Sequence, residues 1–456
     1  MDSTFDVIII GAGPGGTTAA RLLAQGGKKV ALVEDTHLGG TCLNQGCIPT
    51  KFLLAATAPI GELHDQERFC ALTCSLSMDF AALQKRKDRF VKGTAASLSK
   101  TLSGLGVAVH MGRGRITGPG TVAVDGDSPV TLTGKDIILA TGSRPASFPG
   151  MEPDGEAVLD STMLLAQSAI PESLLVIGAG AIGMEFSDFF AAAGAKVTVV
   201  EGMPQLVPTE DADIAAELRK ITEKSGRACI TGRKVASLAT RDGRAELTFE
   251  DGETLVAAKA LVAVGRSPNT GGLGVESLGG SLNARGFVQV DETLLAAPGC
   301  YAIGDVNGKT LLAHAADHQA EYVARRILGR TDGAYASGPV PSCVFGHAEV
   351  MRVGKTAREA LAEGRRVEVS VAPMSMNPIA QAHGSSAGFA KAVWADGELA
   401  GMAAVGYGAS HLVTAAQLLV LGRHTPESLH AFMFCHPTLD EILKSALTAP
   451  RTPVSN

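Results

Sequence analysis

Cys42 and Cys47 stand five residues apart in GGTCLNQGCIP, residues 39–49, in a chain with only eight cysteines. Two thiols this close suit three chemistries: half of a zinc site, a structural disulfide or a redox pair. Zinc needs about four ligands, and no second cysteine pair or histidine cluster has a recognisable spacing, so no metal is expected. Cys70 and Cys74, in CALTC, lack a histidine-rich partner segment and read as buried or incidental thiols. Pro49 suits the first turn of a helix, and a helix N-terminus stabilises thiolate. On a regular helix the two cysteines would lie about 140° apart, so joining them needs a distorted turn near Gly46. A redox pair fits this stretch best. At the other end, His436 in CHPTLDEIL precedes Glu441 by five residues, at a predicted helix start. A histidine oriented by a carboxylate can take a proton near neutral pH, which thiol exchange requires because thiolate is the nucleophile; taken by itself, the couple also reads as an ordinary surface pair.

The elements that must carry these groups begin with two repeats of one plan. FDVIIIGAGPGGTTAARLLAQGGKKVALVE (5–34) and LLVIGAGAIGMEFSDFFAAAGAKVTVVE (174–201) each run from a β-branched strand through a glycine turn into a helical pattern and a second strand. Gly11, Gly13 and Gly16 form G-x-G-x-x-G in the first, and Gly178, Gly180 and Gly183 in the second. In this motif the first glycine permits the tight turn, the second lets backbone approach a pyrophosphate, and the third allows helix and strand to pack closely. Phosphates then meet free N–H groups at the positive end of the helix. Glu34 and Glu201 end the second strands, where a carboxylate can accept from ribose hydroxyls. Glu201 also repels the 2′-phosphate of NADP, and no Lys or Arg occurs from 202 through 218, so NAD is the expected pyridine nucleotide. The further acids of PTEDADIAAEL either add to that exclusion or form a solvated helix start.

At 456 residues, 45% hydrophobic and 19% charged, the chain has room for about three domains. Its 54 glycines exceed the ordinary share of about 7%, and the net charge of −6, with no basic block, makes nucleic acid an unexpected partner. No apolar run approaches the ~20 residues of a membrane span. MDSTFDVIII lacks a basic n-region, and the sparse cysteines fit a reducing cytoplasm. CYAIGDVNG (300–308) adds a third strand before a helical stretch. ATGSRPASFPG (140–150) and AVGRSPNT (263–270) look like crossings between domains. Beyond Pro339 come alternating strands such as VEVSVAP and GFAKAVW, then helices from about 409. The expected class is α/β, with two Rossmann-like dinucleotide-binding domains and a C-terminal α+β domain. Expected boundaries are 1–147 and 148–271 for the two dinucleotide folds, 272–338 for a central part completing the first site, and 339–456 for the last domain.

These motifs, in this order over nearly the whole chain, with GGTCLNQGCIPTK, ATGSRP, AIGDV and HPTLDE, resemble the FAD-dependent pyridine nucleotide–disulfide oxidoreductases. The resemblance is nearest to the branch that oxidises dihydrolipoyl groups, with Gln45 and Thr50 as substitutions in the cysteine motif. It implies that the first fold holds FAD and that Cys42 and Cys47 form a redox-active disulfide, Cys47 facing the flavin and Cys42 meeting the substrate. It implies that Lys51 sits near flavin N5 with Glu185 as its ion-pair partner, where positive charge stabilises reduced flavin. Gly114, Asp305 and Ala313 match positions contacting the adenine part, the ribitol and the flavin ring, while Gly142, Val235 and Gly265 match further cofactor positions. His436, held by Glu441, would be the base and would reach the disulfide of the other subunit, implying a homodimer built on the C-terminal domain. The partner would be a lipoylated carrier protein of a 2-oxoacid dehydrogenase or glycine-cleavage system.

Departures concern the substrate end. The branch has HAHPT where this chain has FCHPT, so Phe434 could reshape the entrance, and Cys435 is expected to be a buried structural thiol. His411 stands where a helix-starting glutamate is common, and Ala181 stands where glutathione reductase carries an aromatic gate. Two rivals follow. One is an NAD(P)H-dependent reductase of another disulfide or of mercuric ion, against which stand Glu201 and the lack of a cysteine pair in SALTAPRTPVSN. The other is a flavin-binding subunit without turnover, which would have no need of both cysteines, Lys51, Glu185, His436 and Glu441.

Overall fold

The computed structural model describes residues 3–67, 75–425 and 427–455, so Cys70 and Cys74 lie outside the described residues. The chain divides into two compact units. The first comprises Met1–Pro49, Gln84–Ala146 and Arg266–Ser337; the second comprises Thr50–Leu83, Ser147–Gly265 and Gly338–Asn456.

In the first unit, strand Thr4–Ile10 lies between Val30–Glu34 and Val130–Leu139, parallel to both. Ala108–Met111 and Cys300–Ala302 extend the parallel sheet on either side. Val7, Ile8 and Ile9 are fully buried, which explains a continuous apolar run instead of an alternating one. Helices Pro14–Gln25 and Ala313–Ile327 cover one face through small side chains, Ala19 and Ala20 against Ala320 and Ala324. Small side chains let backbone come close, which is what a nucleotide loop at the head of a helix needs. ATGSRP and AVGRSPNT form a short antiparallel pair, Ser143–Pro145 with Arg266–Pro268, bracketing the segment that belongs to the second unit.

The second unit repeats the parallel plan with five strands, Lys196–Glu201 and Lys259–Val262 flanking Ser173–Ile177. A three-stranded antiparallel meander over 235–257 follows the helix Ala212–Lys224 and the edge strand Ala228–Thr231. The C-terminal part is a six-stranded antiparallel sheet, with Glu398–Gly406 between Glu349–Gly354 and Gly388–Ala395. Helices Val413–Leu421 and Glu441–Thr448 pack onto it through Leu419, Ile442 and Leu443, around a fully buried Trp394. Among the described residues no helix is long and apolar enough to cross a membrane.

Candidate active site

The cysteine motif folds as two helices broken where geometry demanded. Helix Gly40–Gln45 carries Cys42 and ends at Gly46, whose φ −142°, ψ −114° leave the helical region, and Cys47 opens helix Cys47–Glu67. Cys47 thus occupies the N-terminal position that favours thiolate. It is exposed, and Cys42 is half-buried. The loop rests on the first glycine turn: Gly39 N–H donates to the Ala12 carbonyl at 2.8 Å, and a Cβ on Gly40 would stand 2.7 Å from the Gly13 Cα. Burial pushes the thiol of Cys229 up to about 11 and those of Cys300 and Cys343 up to about 12, so these three are poor nucleophiles at neutral pH.

The first dinucleotide turn fits FAD. Gly11 has φ +104°, and a Cβ there would meet the Ala140 carbonyl at 2.3 Å; one on Gly16 would meet the Gly11 carbonyl at 1.9 Å. A Cβ on Gly13 would meet nothing within 4 Å, and no side chain caps the helix that Gly13 begins. Open space and unclaimed N–H groups are what a pyrophosphate needs. Glu34 is buried, accepting from Ala12 N–H at 2.7 Å and from Thr36 N–H and hydroxyl. Oε1 takes both Thr36 bonds and Oε2 the single bond from Ala12, so Oε2 retains a lone pair for a ribose hydroxyl. Gly114 is pressed between Ile10 and Val33, where a Cβ would stand 2.9 Å from Ile10 Cγ2. Gly142, at φ +66°, borders open space, and Ala313 begins a helix with no side-chain cap.

Asp305 brought partners that sequence reasoning missed. Ser143 Oγ donates to Asp305 Oδ2, Arg266 Nε donates to Ser143 Oγ at 2.6 Å, and Arg266 Nη2 donates to the Ser143 carbonyl at 2.7 Å. The signal lies in ATGSRP and AVGRSPNT, whose Ser143 and Arg266 the sequence marks only as parts of crossings between domains.

The second turn reproduces the first. Gly178 has φ +98° with the Ala263 carbonyl 2.4 Å from a would-be Cβ, and on Gly183 the clash with the Gly178 carbonyl is 1.9 Å. Gly180 is open, and helix Ala181–Ala192 has no side-chain cap. Glu201 accepts from Ala179 N–H and Met203 N–H, both at 2.8 Å. Gly265, at φ +128°, is also open, while Val235 is half-buried at the start of strand Val235–Arg241. The acids after Glu201 correct the sequence reading. Glu210 and Asp211 are buried and engaged by Arg352 and Lys391, so they neither form a solvated helix start nor stand free to repel a phosphate.

Lys51 lies one turn beyond Cys47 on the same helix, and its Nζ is 2.6 Å from Glu185 Oε2 and 4.6 Å from the centre of the Phe345 ring. Burial holds the Glu185 carboxyl above its ordinary value, and the Lys51 ammonium opposes that shift. Near the C-terminus, His436 Nδ1 lies 3.1 Å from both oxygens of Glu441, the first residue of its helix. An acceptor-only carboxylate places the imidazole proton on Nδ1 and leaves Nε2 as the base. The Thr438 N–H and the imidazole hold the Glu441 carboxyl below its ordinary value. Cys435 is exposed, which overturns its expected burial: it lies in an irregular segment between short helices, outside the packed sheet. His411 is exposed as well. Among the described residues no group of three His, Cys, Asp or Glu could hold a metal ion.

Two dinucleotide folds, a cysteine pair resting on one of them, and a histidine–carboxylate couple define a flavin- and pyridine-nucleotide-dependent disulfide oxidoreductase. The chain belongs to the pyridine nucleotide-disulphide oxidoreductase family, which matches residues 5–320, and residues 340–447 match that family's dimerisation domain. Curated relatives named dihydrolipoyl dehydrogenase include those of Chlorobaculum tepidum, 36% identical, and Thermus scotoductus, 38% identical; each comparison covers 98% of this chain and 97% of the relative. Among solved structures, LpdA of Mycobacterium tuberculosis superposes with TM-score 0.88 at 27% identity, covering 97% of this chain and 99% of that one. The HOCl-induced flavoprotein disulfide reductase RclA of Escherichia coli, as its Cu(II) complex, also gives 0.88 at 27%, covering 98% and 99%.

Proposed function

We propose that this chain is a dihydrolipoyl dehydrogenase, oxidising dihydrolipoyl groups on a lipoylated carrier protein of the cytoplasm with NAD+. The observation that carries the reading is full-length identity of 36–38% to curated enzymes of that name, over a chain that keeps both cysteines and the His436–Glu441 couple. In this reading 1–147 and 272–338 hold FAD, 148–271 holds NAD and 339–456 forms the dimer.

His436 Nε2 takes the proton from one substrate thiol, with Glu441 fixing the ring and stabilising the charge it gains. The resulting thiolate attacks Cys42 Sγ and breaks the Cys42–Cys47 bond, releasing Cys47 as thiolate. The second substrate thiol attacks the substrate sulfur of the mixed disulfide, closing the oxidised lipoyl ring and displacing Cys42, which leaves as a thiol carrying the second proton, so one dithiol is oxidised as one disulfide is reduced. Gly11, Gly13, Gly16 and Glu34 would hold FAD, whose chemistry when bound would be to relay that electron pair to NAD+. Lys51, oriented by Glu185, supplies the compensating positive charge. Gly13 and Gly180 leave room for the two pyrophosphates, and Glu201 disfavours a 2′-phosphate.

The test is NAD+ reduction by dihydrolipoamide, with Cys47→Ser and NADP+ as comparisons. Turnover that Cys47→Ser abolishes, and that NADP+ supports poorly, is expected. A flavoprotein that NADH reduces but dihydrolipoamide does not would sink the substrate assignment and turn attention to Phe434, Cys435 and His411.

A further inference from the structure

The segment after Glu201 is held at both ends by contacts that the chemistry above does not use. At its inner end, Met203 N–H and Ala179 N–H each donate to one oxygen of Glu201, and Val207 N–H donates to the Ala179 carbonyl at 2.9 Å. Ala179 lies inside the second glycine turn, so this segment buttresses both the turn and the acid. Val207 does so at φ +40° while buried, a conformation that β-branched residues avoid and that persists only where surroundings enforce it.

The enforcement comes from the C-terminal sheet. Glu210 N–H donates to the Val207 carbonyl at 2.9 Å, and the Glu210 carboxylate receives Arg352 Nε at 2.9 Å. Lys391, only 2% exposed, places Nζ 2.7 Å from Asp211 and 2.7 Å from Asp213. Asp211 also accepts from the N–H groups of Ala357 and Arg358, and Arg358 reaches the Pro208 carbonyl. A buried lysine on a central strand is costly unless paired, and here its partners are Asp211, which ends the segment framing the second turn, and Asp213, in the first turn of the helix that follows.

We propose that Arg352 and Lys391 are positioning residues for NAD+: from the C-terminal sheet they fix segment 203–211 and so preset Glu201 and the second glycine turn. The inference rests on the reading that this turn holds NAD. Neither cation touches the nucleotide; each acts through the backbone of the segment. The C-terminal part of the chain is then needed for coenzyme binding as well as for dimer formation.

The experiment measures NADH affinity of the FAD-loaded enzyme by calorimetry, alongside anaerobic flavin reduction by dihydrolipoamide without NAD+. Arg352→Gln is expected to weaken NADH about tenfold and to narrow the preference over NADPH, with the dithiol-driven flavin reduction rate kept. Arg352→Lys, which retains a cation, should recover most of the affinity. Should Lys391→Met not fold, Arg352→Gln and the paired Glu210→Gln/Arg352→Gln protein, which leaves no buried charge unpaired, decide the matter. Folded variants that bind NADH within twofold of the parent overturn the positioning role. A parent that binds no NADH overturns the nucleotide reading beneath it, a distinct result.

Discussion

Lys51 and Glu185 are 134 residues apart in sequence and 2.6 Å apart in the structure, and their pairing has a consequence for pH. Burial raises the Glu185 carboxyl above its ordinary 4.5, and Lys51 limits the rise. A carboxyl raised in the folded state contributes stability that is full below the unfolded value and lost as pH climbs through the folded one. Lys51→Met removes the opposing charge, so the folded value rises further and the loss extends to higher pH. Urea unfolding should show the variant close to the parent at pH 4.5 and weaker by about 1–2 kcal/mol at pH 8, the ammonium's partial exposure keeping the effect small. An equal deficit at both pH values would reject this account. The pair was legible through family resemblance alone, whereas His436 and Glu441 were also legible from their types and spacing. The partners of Asp305, and the burial of Glu210 and Asp211, were not. Those depend on Arg266, Arg352 and Lys391 arriving from distant strands, and no local spacing announces such an arrival.

Among elements, the glycine turns were the most readable, because one backbone conformation imposes one residue pattern. The structure separates two reasons for glycine within that pattern. Gly16 and Gly183 are glycine because a Cβ would stand 1.9 Å from a carbonyl oxygen of the same turn, which is a packing reason. Gly13 and Gly180 face open space, which is a ligand reason. Gly13→Ala and Gly180→Ala should therefore leave apoprotein stability within about 0.5 kcal/mol of the parent. The first should weaken FAD and the second NADH. Gly16→Ala and Gly183→Ala should impair folding itself. Denaturation of the apoproteins and titration with each nucleotide distinguish the two pairs, and equal destabilisation of all four would remove the distinction. The antiparallel C-terminal sheet was less readable. VEVSVAP and GFAKAVW were visible as strands, but their place between Glu398–Gly406 and Thr452–Val454 follows from long-range pairing.

For the whole molecule, motif order sufficed to read the class, since a strand–glycine–helix unit occurring twice with a cysteine pair after the first admits few architectures. Association of chains is a separate matter. The dimerisation domain spans 340–447, and within it Met376, Leu418, Leu421 and Met433 are exposed in the single chain, Met433 at 97%. A dimer built on this domain has such apolar side chains available to cover. If His436 of one subunit serves the cysteines of the other, two lesions can complement. Consider a dimer with His436→Gln in one chain and Cys47→Ser in the other. One of its sites carries both lesions, while the other joins an intact cysteine pair to an intact histidine. Each parental homodimer should be nearly inactive towards dihydrolipoamide, the histidine variant losing about 10²–10⁴-fold. The heterodimer, isolated with two affinity tags, should regain about half the parental activity, since one of two sites is whole. A site contained within a single chain predicts an inactive heterodimer, because each chain then carries its own lesion. The assay thus decides whether the histidine serves its own chain or the partner, independently of which dithiol the enzyme meets in the cell.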